Sequence, residues 1–77
     1  MPSKVNVYTK PGCGHCVQTK RLLDKLGIVY DEIDVVEHPE HRDKIKNVWG
    51  FTQVPVVETE DDVWSGFRPE RIKAIVG

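Results

Sequence analysis

Apolar and polar residues alternate from Lys4 to Thr9 ("KVNVYT"), which puts Val5 and Val7 on one face and predicts a first strand. The period then changes. From Cys13 to Leu26, the positions Cys16, Thr19, Leu23 and Leu26 share one face of a helix, with Leu22 beside it, while Lys20, Arg21 and Lys25 point largely to solvent. Gly27 follows as a stop signal. "IVYDEIDV" (28–35) reads as a second strand with Ile33 and Val35 as inward candidates. Pro39 suits the first turn of a helix. The stretch "PEHRDKIKNVWG" is then a short, charged helix that should bury Ile45, Val48 and Trp49 and end at Gly50. "VPVVET" and "DVWS" predict a third and a fourth strand, joined by an acidic turn from Glu60 to Asp62. Gly66 breaks the pattern, and Pro69 opens a last helix with Ile72, Ile75 and Val76 as its apolar face.

The order β-α-β-α-β-β-α predicts an α/β fold. The opening β-α-β unit should be parallel with a right-handed crossover. The last pair of strands, a short turn apart, should be an antiparallel hairpin. A four-stranded mixed sheet flanked by three helices follows. The 77 residues make one domain, 1–77. A domain this short buries a modest core, so its local signals must agree.

Composition changes the picture little, but it excludes classes. Apolar residues at 39% and charged residues at 30% fit an ordinary soluble protein. Formal net charge is −1, and no basic block or basic-aromatic stripe is present, which argues against a nucleic-acid partner. The start, "MPSKVNVYTKPG", lacks the apolar core of a secretory signal, and no apolar run approaches the ~20 residues that span a bilayer. A cytoplasmic protein without a membrane partner is expected. In that compartment disulfides are usually transient and catalytic.

Both cysteines lie in "KPGCGHC", Lys10 to Cys16. Cys13 falls where a strand gives way to a helix, and a helix N-terminus stabilises the thiolate that does the chemistry. Cys16 lies one turn further in. This asymmetry assigns Cys13 as an exposed nucleophile and Cys16 as a largely buried resolving thiol. A zinc or iron–sulfur site needs about four ligands. Two cysteines and three histidines (His15, His38, His41), two of them at a charged helix, make a poor set, so no metal is expected. A purely structural disulfide across so small a loop removes little unfolded-state entropy.

The element order, together with "TKPGCGHC", "QVP" and the final helix, resembles the thioredoxin superfamily in its short glutaredoxin-like form, over essentially the whole chain. The resemblance implies the thioredoxin fold. It implies a cis proline at Val54-Pro55 that presents the Val54 backbone to an extended substrate segment, and no cofactor beyond a redox-active Cys13–Cys16 disulfide. "WSGFRPE", from Trp64 to Glu70, resembles the signature of the NrdH-redoxins. Those proteins are reduced by thioredoxin reductase and reduce class Ib ribonucleotide reductase, so both become expected partners, the second through its large subunit, of a monomeric carrier. The matching binding residues are Lys10, Val54, Pro55, Trp64, Ser65, Gly66, Phe67 and Arg68. Ser65 and Arg68 are expected to tie the loop into a hydrogen-bonded platform. Phe67 should lie nearer the surface than Trp64.

Two features set alternatives. Gly14-His15 matches the dipeptide of protein disulfide isomerase domains, and a histidine beside Cys13 favours the thiolate and a more oxidising couple. His15 is therefore expected to tune the pKa and potential, and a disulfide oxidant or isomerase is an alternative. A glutathione-dependent glutaredoxin is another. Against it, Arg68-Pro69 stands where glutathione users carry an acidic residue for the glutathione amino group, and a cation there would repel that group.

Overall fold

The computed structural model describes residues 4–76. Its elements run in the expected order: β1 (Asn6–Thr9), α1 (Gly14–Lys25), β2 (Asp31–Asp34), α2 (Pro39–Asn47), β3 (Val56–Glu58), β4 (Val63–Ser65) and α3 (Pro69–Val76). The four strands form one mixed sheet in the order β2-β1-β3-β4. β1 runs parallel to β2, with Asn6 opposite Asp31. β3 is antiparallel to β1, with Val57 opposite Val7, and antiparallel to β4, with Val57 opposite Trp64. This is the thioredoxin fold.

Alternation along each strand divides the core into two layers. Val5, Val7, Val57 and Trp64 face Leu23 of α1 and Ile72 of α3, with Ile28 completing the cluster. The other face carries Tyr8, Val35 and Val56 against Ile45 of α2. Leu23 and Ile72 are fully buried. Each such aliphatic side chain contributes about 1.5–3 kcal/mol relative to leaving it exposed.

The ends of elements are where the residue pattern overreached. α1 closes with Gly27 at a positive φ of 72°. The Gly27 N–H donates to the Asp24 carbonyl, and the Ile28 N–H donates to the Leu23 carbonyl. That pair of bonds satisfies carbonyls the helix leaves free. Ile28 is thereby buried as part of the helix exit, and strand pairing starts only at Asp31. α2 stops at Asn47 rather than running to Gly50. The Val48 and Trp49 N–H groups both donate to the Lys44 carbonyl, and Phe51 donates to Ile45. This tight finish swings Trp49 and Phe51 onto the second cluster and turns Val48 out, 71% exposed, against expectation. Val76, at the last position of α3, is likewise exposed: the short helix buries Ile72 and packs Ile75, and its apolar face ends there. No helix among the described residues is long and apolar enough to cross a membrane.

Candidate active site

Lys10 to Gly12 turn the chain from β1 into α1, and Cys13 is the residue that caps the helix. Its backbone is extended (φ −92°, ψ 109°), and its Sγ accepts the Cys16 N–H at 3.1 Å. A cap of this kind is ordinarily a serine or aspartate oxygen. Here a sulfur takes the place, so that negative charge on it meets a free helix N–H and the positive end of the helix dipole. Cys13 and Cys16 are joined in a disulfide with a Cα–Cα separation of 5.2 Å. Cys16 is 2% exposed, whereas Cys13 is only half-buried. An incoming sulfur therefore has access to Cys13 alone.

Opposite the disulfide lies the Val54-Pro55 peptide, which is cis. The Val54 carbonyl oxygen is 3.8 Å from Cys13 Sγ. The loop bearing it is tied to the segment after β4. The Gly66 N–H donates to the Pro55 carbonyl at 2.8 Å, and Ser65 Oγ donates to the Gln53 carbonyl at 2.8 Å. Arg68 Nε donates to the Ser65 carbonyl at 3.1 Å. Gly66 holds a φ of 91°, a region side chains disfavour. Ser65 and Arg68 are thus both hydrogen-bonded within this segment, and the Gly66 N–H joins them in tying it to the proline loop.

Trp64 has a different place. It is 3% exposed and belongs to the core. The Arg71 guanidinium lies 5.9 Å from its ring centroid and pairs with Asp62 at 3.1 Å. Phe67 is partly buried against the same cluster. Within "WSGFR", therefore, Trp64 and Phe67 anchor the segment while Ser65, Gly66 and Arg68 brace the proline loop.

Two hollows meet at Cys13, and Lys10 lines both. The smaller, about 370 Å³, reaches past Cys16 to Thr9, Lys20 and Glu32. Lys20 Nζ donates to Glu32 Oε2 at 2.9 Å, and Thr9 Oγ1 donates to the same oxygen at 3.1 Å. The Lys20 hydrogen bond holds the Glu32 carboxyl below the usual carboxylate range, partly opposed by burial. The larger, about 680 Å³, lies between α2 and the proline loop. His15, exposed on α1, borders it. Arg68 borders neither hollow.

Sequence reasoning did not bring Arg42, Lys46 and Phe51 to the site, yet they line the larger hollow. A signal existed for the first two. At i and i+4 on a helix they share a face, but nothing local shows that this face looks toward Cys13. Among the described residues, no group of three or more His, Cys, Asp or Glu could hold a metal ion.

Comparison with known proteins agrees with the geometry. The glutaredoxin family model matches residues 5–64. The glutaredoxin-like protein NrdH of Lactococcus lactis subsp. lactis is 38% identical over 68 residues, covering 88% of this chain and 93% of that protein. NrdH of Escherichia coli K12 is 36% identical over 72 residues, covering 94% and 88%. The solved structure of E. coli NrdH-redoxin, a study of its thioredoxin-like activity profile, matches with a TM-score of 0.89 at 37% identity over 92% of each chain.

Proposed function

The chain belongs to the glutaredoxin family, among its NrdH-type members, and we propose that it carries electrons from thioredoxin reductase to the large subunit of class Ib ribonucleotide reductase. It is a thiol–disulfide oxidoreductase. The single observation behind the proposed direction of attack is the accessible Cys13 sulfur at the α1 cap, with Cys16 sealed behind it.

In the reduced protein, the Cys13 thiolate attacks one sulfur of a substrate disulfide. A mixed disulfide forms, and the other substrate sulfur leaves as a thiolate. Cys16, deprotonated, then attacks Cys13, closes the internal disulfide and releases the second substrate thiolate. Two electrons pass to the substrate, and the reductase returns two to the Cys13–Cys16 bond. No other cofactor takes part. The Val54 backbone receives the substrate segment in the manner of an added strand, and Lys10 lines the hollow beside Cys13. The platform of Ser65, Gly66 and Arg68 fixes that loop. His15 tunes the potential of the couple rather than setting the reaction type. The protein works as a cytoplasmic monomer.

Support for the reductase comes from the NrdH relationship and the thioredoxin-like activity profile of the E. coli relative. The test supplies NADPH with either thioredoxin reductase or glutathione and its reductase, and follows NADPH consumption against a protein disulfide. Turnover is expected with thioredoxin reductase. Turnover with the glutathione system alone would overturn the reading in favour of a glutathione-dependent glutaredoxin.

A further inference from the structure

The two hollows at Cys13 differ in charge. The smaller holds Glu32 and Asp34 beside its lysines. The larger is bordered by Lys10, His15, Arg42 and Lys46 and by no acidic residue. The whole chain has 11 basic and 12 acidic residues, so this is local segregation and not a property of the composition. Nor are the cations used within the fold. The ion pairs among the described residues join Lys4, Lys20, Lys44, Arg71 and His38 to acids, and none engages Lys10, Arg42 or Lys46. Between the cations the floor is apolar, formed by Val35, Ile45 and Phe51 and ending at Val54. A hollow of about 680 Å³ lies within the ~300–1,000 Å³ of ordinary ligand sites.

Resting on the reading that Cys13 exchanges with a partner's disulfide, we propose that this hollow selects partner segments with acidic residues flanking the reactive cysteine. The segment lies extended along Val54, sets an apolar side chain on Phe51 and places carboxylates against Arg42, Lys46 and Lys10. Arg42 and Lys46 stand one turn apart on one face of α2, so together they present a paired positive edge to the segment. Such rim charges act mainly on encounter and partner choice, and salt weakens them.

The probes are a synthetic disulfide-closed peptide with Asp and Glu flanking its cysteines, its Asn/Gln counterpart, glutathione disulfide and uncharged hydroxyethyl disulfide. The reduced protein, freed of reductant, is mixed with each and exchange rates are measured. The acidic peptide is expected to react about tenfold faster than the amide peptide at low salt, with the ratio falling toward one as salt rises. The double variant Arg42→Glu, Lys46→Glu, both positions exposed, should erase or invert that ratio. A ratio near one in the parent, or one unmoved by the double variant, would refute the proposal. Glutathione disulfide reacting as fast as the acidic peptide, with the same dependence on Arg42 and Lys46, would replace it with a small-molecule carboxylate site. Failure with hydroxyethyl disulfide too would instead sink the exchange reading itself.

Discussion

In the proposed mechanism Cys13 combines two roles in one atom, since the sulfur proposed to exchange also caps α1. Its partner Cys16 is out of reach of a second protein. Cys16→Ser should therefore accumulate a mixed disulfide through Cys13, seen as added mass on that residue, whereas Cys13→Ser should accumulate none. Trapping through Cys16 in the latter would reverse the assignment. A serine is the proper replacement at 13, because alanine would also remove the cap, at a cost of about 0.5–2 kcal/mol. Away from the site, burial in the second layer, and then the hydrogen bond to Glu58, push the Tyr8 phenol from 10.0 to about 12. Its hydroxyl donates to Glu58 Oε1 at 2.9 Å. The unfolded chain ionises this group first, so its contribution is fully present below pH 10 and is lost as pH rises toward 12. The loss is about 2–3 kcal/mol over that window. Tyr8→Phe should remove this part of the alkaline slope, read from urea midpoints at stepped pH. A slope identical to the parent's would refute the assignment. The cysteines were legible in the sequence because their spacing and the helix start are local facts. The place of Trp64 was not, because a tryptophan on a strand looks the same in either layer until the strand's neighbours are known.

Among the elements, the segment from β4 to α3 is a brace. It holds the proline loop through Gly66 and Ser65, and it is itself anchored by Trp64 and Phe67. Gly66 is required for its backbone: a Cβ there would meet no atom within 4 Å, but φ is 91°. Gly66→Ala should cost about 1–2 kcal/mol, with a melting point lower by roughly 4–8 °C per kcal/mol for a domain of this size. The exchange rate should fall with it, since the Gly66 N–H fixes the Pro55 carbonyl. An unchanged melting point would mean that the turn relaxes freely. Element types were legible throughout, because period-2 and helical patterns seldom imitate each other over whole segments. Their ends were less so. Val48 continues the helical pattern of α2, yet the carbonyl of Lys44 captures two N–H groups and ends the helix before it. Only the competition between backbone partners decides that, and the side-chain pattern does not record it.

At the scale of the molecule, the sheet separates two apolar layers, and the site forms where the C-terminal end of β1, the start of α1 and the proline loop converge. The fold itself was legible from order and connection lengths, with the family signature adding the cis proline. The basic hollow was not, because it joins Lys10 before α1 to Arg42 and Lys46 on α2 and to Phe51 beyond it. Such a hollow exists only after the layers have packed. The two layers have one more consequence. The chain has two tryptophans; Trp64 is buried in the layer of α1 and α3, and Trp49 packs in the layer of α2, edge-on to Tyr8 at 5.7 Å. Each face of the sheet thus carries its own fluorophore. Trp49→Phe leaves emission from the first layer alone, Trp64→Phe from the second, and each variant's fluorescence midpoint in denaturant should coincide with its own far-UV circular dichroism midpoint. A midpoint that splits from the backbone signal would show one layer melting ahead of the other, so light alone can ask whether the two halves of this core stand or fall together.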